Sequence, residues 1–93
     1  MAELWKDLHL RALANTGEND TPYLVQFTSR IPRFTQGCKC NEHWTIFVKS
    51  NPPVFGKNGE YFAWTVKAHN SVNARLNKRQ YTVEESKAFY TNL

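Results

Sequence analysis

Two cysteines, Cys38 and Cys40, lie one residue apart, and a histidine, His43, follows three positions after the second. They are the only cysteines in the sequence. A cysteine pair can accept two electrons from a dithiol by exchange, because an attacking thiolate displaces one sulfur of a disulfide. The same side chains are also the ligand types of zinc sites. The spacing therefore leaves three interpretations open: a redox pair, part of a metal site, or no chemical role.

The chain before the cysteines is predicted to form two helices. Apolar residues recur at helical spacing from Glu3 to Ala14, and the turn-forming stretch NTGEND then ends the first helix. Thr21 is expected to cap the second helix, with Pro22 in its first turn. Pro32 should break that helix, because proline lacks an amide donor and disfavours helical geometry in the preceding residue. An irregular run, residues 32–37, therefore leads to the cysteines.

Three more helices are predicted after the cysteines. The third extends from about Cys40 to Lys49 and the fourth from about Glu60 to Leu76. The fifth starts at TVEE, where Thr82 and Glu85 form a capping-box pattern. No linker rich in glycine, serine or proline divides the 93 residues, so we expect a single domain over residues 1–93. Short connections between short helices favour an all-α bundle.

Polar residues at unusual helical positions mark a candidate site. On the third helix, Cys40, His43, Trp44 and Phe47 share a face that is predicted to look inward. The fourth helix places three polar residues beside an apolar stripe, namely His69, Asn70 and Asn73. Asparagine is a poor helix former, because its side chain competes for backbone hydrogen bonds. These residues therefore either line a polar pocket or face water.

The overall composition is that of a folded, basic protein. The net charge is +4, and aromatic residues make up 14% of the chain. Arg75, Lys78 and Arg79 form a basic cluster that either faces solvent or binds a phosphate group. The sequence has neither a secretory signal pattern nor a stretch apolar enough to cross a membrane. We expect a protein made without export, in the cytoplasm, with no membrane partner.

Taken in chain order, several segments resemble the Erv/ALR family of FAD-linked sulfhydryl oxidases, and the small viral members are closest in form. The first helix carries Trp5-x-x-x-His9, and the cysteine motif is followed by x-x-His43. An NPP segment then precedes HNSVNARLNK, which begins at His69. The His-Asn-x-Val-Asn segment is the most specific part of the resemblance.

The resemblance implies a four-helix bundle with a short fifth helix, usually a homodimer, that binds FAD at the mouth of the bundle. Lys78 would reach the phosphates, and Arg75 is a second candidate for that contact. The full set of FAD-binding residues implied by the resemblance is Trp5, His9, His43, His69, Asn70, Val72, Asn73, Arg75 and Lys78. No metal ligand is assigned.

The resemblance also assigns roles to the cysteines. Cys40, at the start of a helix whose dipole favours a thiolate, would contact the flavin. Cys38 would be the sulfur that thiols of a substrate protein attack. Electrons would then pass to FAD and on to molecular oxygen, giving hydrogen peroxide. The pair departs from the family motif Cys-x-x-Cys, because Gly37 stands in the place of the first cysteine.

Other functions remain open from the sequence. Cys38, Cys40 and His43 with His69 or His9 have the ligand types and number of a tetrahedral zinc site. A family member that keeps the fold but lacks catalysis would act as a binding scaffold. The positive charge also fits a nucleic-acid or protein-binding module, but the basic residues are scattered, which disfavours nucleic acid. An active oxidase would form disulfides in a host cytoplasm or for a virion.

Overall fold

The computed structural model describes residues 2–31 and 40–92, and within them the chain forms five α-helices and no strand. The predicted all-α fold is confirmed, and the predicted helix ends lie within one residue of the observed ones. The predicted break at Pro32, the irregular run 32–37 and Cys38 lie outside the described residues. The helices are α1 (Ala2–Ala14), α2 (Thr21–Arg30), α3 (Cys40–Ser50), α4 (Glu60–Arg75) and α5 (Val83–Thr91).

The first four helices form a closed ring of neighbours. Helix α1 packs on α2, α2 on α3, α3 on α4, and α4 on α1. Helix α5 packs on both α1 and α4, and it contributes no fully buried residue. This arrangement is the expected four-helix bundle with a short fifth helix.

Aromatic rings from all four bundle helices meet in the core. Trp44 of α3 is 1% exposed, and its ring centroid lies 5.7 Å from that of Trp5 on α1 and 5.1 Å from that of Phe27 on α2. The ring centroid of Trp64 on α4 also lies 5.7 Å from that of Trp44. The Trp44 indole N–H donates to Thr28 Oγ1 at 2.8 Å, so this buried donor is satisfied. Trp44 thereby holds the first turns of α3 beside Trp5.

A buried carboxylate ties α1, α2 and α4 together. Asp20 accepts two hydrogen bonds from the Arg11 guanidinium, at 2.6 and 2.8 Å, and one from the Tyr61 hydroxyl at 2.9 Å. The Arg11 hydrogen bond is the largest cause of the lowered pKa of Asp20. The expected cap at Thr21 was wrong by one residue, because α2 begins at Thr21 and Asp20 is its N-cap. The Asp20 side chain makes no capping bond, since it is committed to Arg11 and Tyr61.

The end of α4 turns the chain back along the same helix. Asn77 has φ 57°, in the left-handed region, and the amide of Lys78 donates to the carbonyl of Asn73 at 2.8 Å. This pattern is a Schellman ending, which needs one left-handed residue after the helix. Tyr81 therefore lies beside Asn70 of α4. The Asn70 side-chain amide donates to the Tyr81 carbonyl at 2.6 Å and accepts a hydrogen bond from the Tyr81 backbone N–H at 2.9 Å.

Helix α5 then begins with the predicted capping box. The Thr82 hydroxyl accepts from the amide of Glu85 at 3.0 Å, and the Glu85 carboxylate accepts from the amide of Thr82 at 2.9 Å. Both partners are local in sequence, which explains why the pattern could be read directly from the residue types.

Candidate functional site

A cavity of about 740 Å³ lies between α1, the second half of α4, the connection that follows α4, and α5. Its volume falls within the range of roughly 300–1,000 Å³ that is typical of small-molecule sites. Most of its surface is made by rings and aliphatic groups, with polar groups from every element that borders it. The lining residues are Trp5, Lys6, His9, His69, Val72, Asn73, Leu76, Lys78, Arg79, Tyr81, Glu85, Ser86, Phe89 and Tyr90.

Stacked rings form one wall of the cavity. The rings of Trp5 and His69 are nearly parallel, with 7° between their planes and 4.2 Å between their centroids. Trp5 is 3% exposed, so its position is fixed by the core as well as by this stack. The Tyr90 ring of α5 lies 4.8 Å from His9, and Phe89 packs edge-on against Tyr90. Such walls suit a planar aromatic ligand.

Two histidines in this wall are linked to each other and to a threonine. His9 Nε2 lies 3.1 Å from His69 Nδ1, and His9 Nδ1 lies 3.0 Å from Thr65 Oγ1. Burial lowers the pKa of His9 to about 3, with a smaller contribution from His69. Burial also lowers the pKa of His69 to about 4, with a smaller contribution from Lys78. Both rings are therefore neutral near pH 7.

Charged side chains from α1, from the connection after α4 and from α5 border the cavity. Three cationic residues, Lys6, Lys78 and Arg79, line it together with one carboxylate, Glu85. Arg79 donates to Glu85 at 2.5 Å and lies 4.7 Å above the centre of the Tyr81 ring. The excess of positive charge favours an anionic group such as a phosphate or pyrophosphate.

Six of the nine residues implied to bind FAD line this one cavity. The structure brings together residues that are up to 73 positions apart in the sequence, from α1, from α4 and from the connection after α4. They are Trp5, His9, His69, Val72, Asn73 and Lys78.

The other three, His43, Asn70 and Arg75, are absent from the cavity lining. His43 Nε2 lies 3.2 Å from the hydroxyl of Ser71 on α4. Its pKa is lowered by burial and, to a smaller extent, by the charge of Arg75, an exposed residue on α4. The Asn70 side-chain amide makes hydrogen bonds to the backbone of Tyr81, so it holds a residue of the cavity wall without lining the cavity itself. The two asparagines of the His-Asn-x-Val-Asn segment thus have different surroundings, because Asn73 is 7% exposed and lines the cavity itself.

The cysteines are placed only through the backbone of α3. Cys40 is the first residue of that helix, and its side chain, like all of Cys38, lies outside what the structure describes. One turn later, Trp44 contacts Trp5, which lines the cavity. The helix that begins at Cys40 therefore packs against a residue of the cavity wall.

The cavity also contains residues that the sequence interpretation missed. Lys6 follows Trp5 directly, and its type and position do not distinguish it from a lysine in solvent. Helix α5 contributes Glu85, Ser86, Phe89 and Tyr90, which are spaced at helical intervals and share a face. That spacing was a usable signal, since an amphipathic helix face with two adjacent rings needs something to pack against.

The residues present fit FAD. The cavity wall contains the rings of Trp5, His69 and Tyr90, which give an apolar surface for a flavin or adenine ring system, and the excess of cations matches its pyrophosphate. Among the side chains that the structure describes, which exclude those of Glu3, Cys38 and Cys40, no group of three or more histidine, cysteine, aspartate or glutamate residues is placed to hold a metal ion. None of the helices in this part of the chain is long and apolar enough to cross a membrane.

Comparisons with known proteins agree with this geometry. The model of the Erv1 / Alr family matches residues 2–91. A protein named FAD-linked sulfhydryl oxidase, from a Malawi tick isolate of African swine fever virus, is 28% identical over 95% of this chain and 76% of its own length. A protein of the same name from a Namibian warthog isolate is 27% identical over 92% of this chain and 75% of its own length. No solved structure matches the chain significantly.

Proposed function

The chain belongs to the Erv1 / Alr family, and we propose that it is an FAD-dependent thiol oxidase that forms disulfides in substrate proteins. The observation that carries this proposal is the cavity in which residues of the first helix and of the His-Asn-x-Val-Asn segment meet, with aromatic rings in its wall and an excess of cationic residues at its border. Two relatives named FAD-linked sulfhydryl oxidase support the same activity.

The cavity residues divide the work of holding FAD. Trp5 and His69, stacked on each other, form a wall beside which a planar part of the cofactor would lie, and the core behind Trp5 keeps that wall rigid. Lys78 and Lys6 offer ammonium groups to the pyrophosphate. Asn73 offers a side-chain amide whose surroundings exclude most water, so a hydrogen bond to the cofactor there would not compete strongly with solvent.

Cys38 and Cys40 form the proposed redox pair. A substrate thiolate attacks Cys38 in the Cys38–Cys40 disulfide, a mixed disulfide forms, and the thiolate of Cys40 leaves. The second substrate thiol then displaces Cys38, so that the substrate becomes a disulfide and the pair becomes two thiols. The cycle closes when the two thiols become the Cys38–Cys40 disulfide again; FAD, when bound, would supply the acceptor for their two electrons, with molecular oxygen as the final acceptor and hydrogen peroxide as the product. The position of Cys40 at the N-terminus of α3 favours its thiolate.

The visible spectrum of the purified protein tests the proposal. We expect a yellow protein that bleaches when dithiothreitol is added, recovers its colour under air, and releases hydrogen peroxide. A colourless protein that takes up no added FAD would refute FAD-dependent oxidation and would direct attention to zinc, which metal analysis would then measure. A yellow protein that dithiothreitol does not bleach would be a flavin-binding scaffold without catalysis.

Two cysteine variants test the assigned roles. Cys40→Ser should abolish thiol oxidation while FAD stays bound, because the flavin loses its electron donor. Cys38→Ser should keep FAD bound and leave the flavin reducible only slowly by small thiols. Peroxide release and absorbance of the bound flavin measure both effects, and equal activity of the two variants would contradict the roles of the two cysteines.

The assembly and setting belong to the same proposal. We expect one domain over residues 1–93 and a homodimer, and light scattering of the yellow protein would measure its mass in solution. We also expect it to act in the cytoplasm or for a virion, and the viral source of the relatives supports that setting. Its partners would be thiols of a substrate protein and molecular oxygen. Fluorescence imaging of the tagged chain in its host cell would locate it.

A further inference from the structure

Thr65 lies one turn before His69 on α4 and has no exposed surface. Its hydroxyl sits between two other groups, the Nδ1 atom of His9 at 3.0 Å and the backbone carbonyl of Phe62 at 2.6 Å. Neither contact belongs to the cavity, because Thr65 does not line it. Its hydroxyl nevertheless touches one of the two cavity histidines.

The hydrogen-bond types fix where the protons lie along this chain of groups. A carbonyl can only accept, so the single hydroxyl proton of Thr65 goes to Phe62, and the Thr65 oxygen must accept from His9 Nδ1–H. A neutral imidazole has one N–H, so His9 Nε2 carries no proton and accepts from His69 Nδ1–H. The Nε2 atom of His69 is then left without a proton.

That last nitrogen is available to a ligand. His69 lines the cavity, and among the described residues its Nε2 atom has no hydrogen-bond partner. In the described buried and half-buried residues, every fully buried side-chain nitrogen or oxygen has a hydrogen-bond partner. His69 is half-buried and its Nε2 atom has no partner, so this nitrogen is not fully buried. It is therefore an acceptor with some exposed surface, on a residue that lines the cavity and stacks on the Trp5 ring.

We propose that Thr65 is a positioning residue of the FAD site, one that sets the tautomers of His9 and His69 so that His69 offers a hydrogen-bond acceptor to the cofactor. This inference rests on the proposed function. FAD has donors that such a nitrogen recognises, namely the ribityl hydroxyls, the imide N–H of the flavin and the amino group of adenine. A protonated nitrogen at the same place would instead face those groups as a second donor.

Valine and serine separate the hydroxyl from the shape of the side chain. Thr65→Val keeps the branched shape and removes the acceptor, so His9 Nδ1–H loses its partner. The opposite pair of tautomers, in which His9 Nε2–H donates to His69 Nδ1, is then no longer disfavoured. In that arrangement, which we expect in Thr65→Val, His69 carries its proton on Nε2. Thr65→Ser keeps the hydroxyl and should keep the tautomers.

Nitrogen NMR of histidine-labelled protein measures the tautomers directly, and a fluorescence titration measures FAD affinity. In the wild type and in Thr65→Ser, we expect the proton of both His9 and His69 on Nδ1, with and without FAD. In Thr65→Val, we expect the His69 proton on Nε2 and FAD binding that is weaker by about tenfold, the effect of one mismatched polar contact. Circular dichroism confirms that each variant is folded.

A wild-type spectrum with the His69 proton on Nε2 would overturn the inference by itself, even if Thr65→Val did not fold. Thr65→Val with wild-type tautomers and wild-type FAD affinity would overturn it too. Wild-type protein that binds no FAD at all would instead overturn the proposed function, and the acceptor role with it. Normal FAD binding in every variant, with activity retained, would overturn the positioning role alone.

Discussion

Replacing Asn70 with alanine tests whether this residue acts by holding the cavity wall in place. The wild-type side chain makes two hydrogen bonds, of 2.6 and 2.9 Å, to the backbone of Tyr81. Each such bond contributes about 1 kcal/mol net, and water replaces part of that because the pair lies near the surface. The contact between α4 and the connection before α5 should therefore weaken by about 1–2 kcal/mol.

That loss reaches the cofactor through the wall that Tyr81 and α5 form. Because 1.4 kcal/mol corresponds to a factor of ten in an equilibrium constant, FAD binding should weaken by up to about 30-fold in Asn70→Ala. Amide hydrogen exchange of FAD-free protein should show faster exchange throughout α5 than in the wild type. A fluorescence titration with FAD measures the affinity of the same samples.

Asn73→Ala is the matched control, since Asn73 lies one turn later on α4 and lines the cavity directly. It should also weaken FAD binding, on the order of 1–3 kcal/mol, but leave the exchange of α5 amides in FAD-free protein unchanged. If Asn70→Ala weakened FAD binding without faster exchange in α5, its side chain would contact the cofactor and the wall-holding role would be refuted.

Three further predictions concern stability, measured as the free energy of unfolding in urea. Asp20→Asn should cost about 2 kcal/mol, because it removes the charge that Arg11 and Tyr61 share; Asp7→Asn, which affects an exposed ion pair, should change little. Asn77→Gly should cost nothing, whereas Asn77→Val should cost about 1–2 kcal/mol at φ 57°. The pKa of His9 is lowered to about 3 and that of His69 to about 4, so the unfolded chain binds more protons than the folded chain between about pH 6.5 and 4. The stability that depends on these neutral histidines is fully present above about pH 6.5, and the free energy of unfolding should fall by about 3 kcal/mol or more as the pH falls through this window.

Each of these has a clear contrary result. Equal losses for Asp20→Asn and Asp7→Asn would show that the buried network adds nothing beyond a surface pair. Equal stability of the two Asn77 variants would remove the need for a left-handed residue after α4. For the pH effect, a double variant with His9→Gln and His69→Gln should show a flatter dependence, and an unchanged slope would assign the loss of stability to other groups.

The helices could be predicted because their signals are local. Thr82 and Glu85 lie three residues apart and cap α5 with their own side chains. The one error, at the start of α2, arose because Asp20 binds Arg11 and Tyr61, partners that lie 9 and 41 residues away. A pattern of neighbouring residues holds no information about such partners.

The site could be predicted only in part, for the same reason. The types and spacing of His69 and Asn73 left open whether they line a polar pocket or face water, and both line the cavity. The different surroundings of Asn70 depend on Asn77, whose left-handed conformation brings Tyr81 back to α4. The contribution of Phe89 depends on which face of α5 packs against α1, and that is decided by tertiary packing.

The cavity is bounded by α1 and by α5, so the proposed FAD site would couple the cofactor to the folding of the chain. Helix α5 has no fully buried residue, so its own packing holds it only weakly. A ligand that binds only the assembled cavity stabilises the folded state by an amount that grows with the logarithm of its concentration. The thermal midpoint of this protein should therefore rise with FAD concentration, and in a cell the supply of flavin would govern how much of the chain survives as well as how much of it is active.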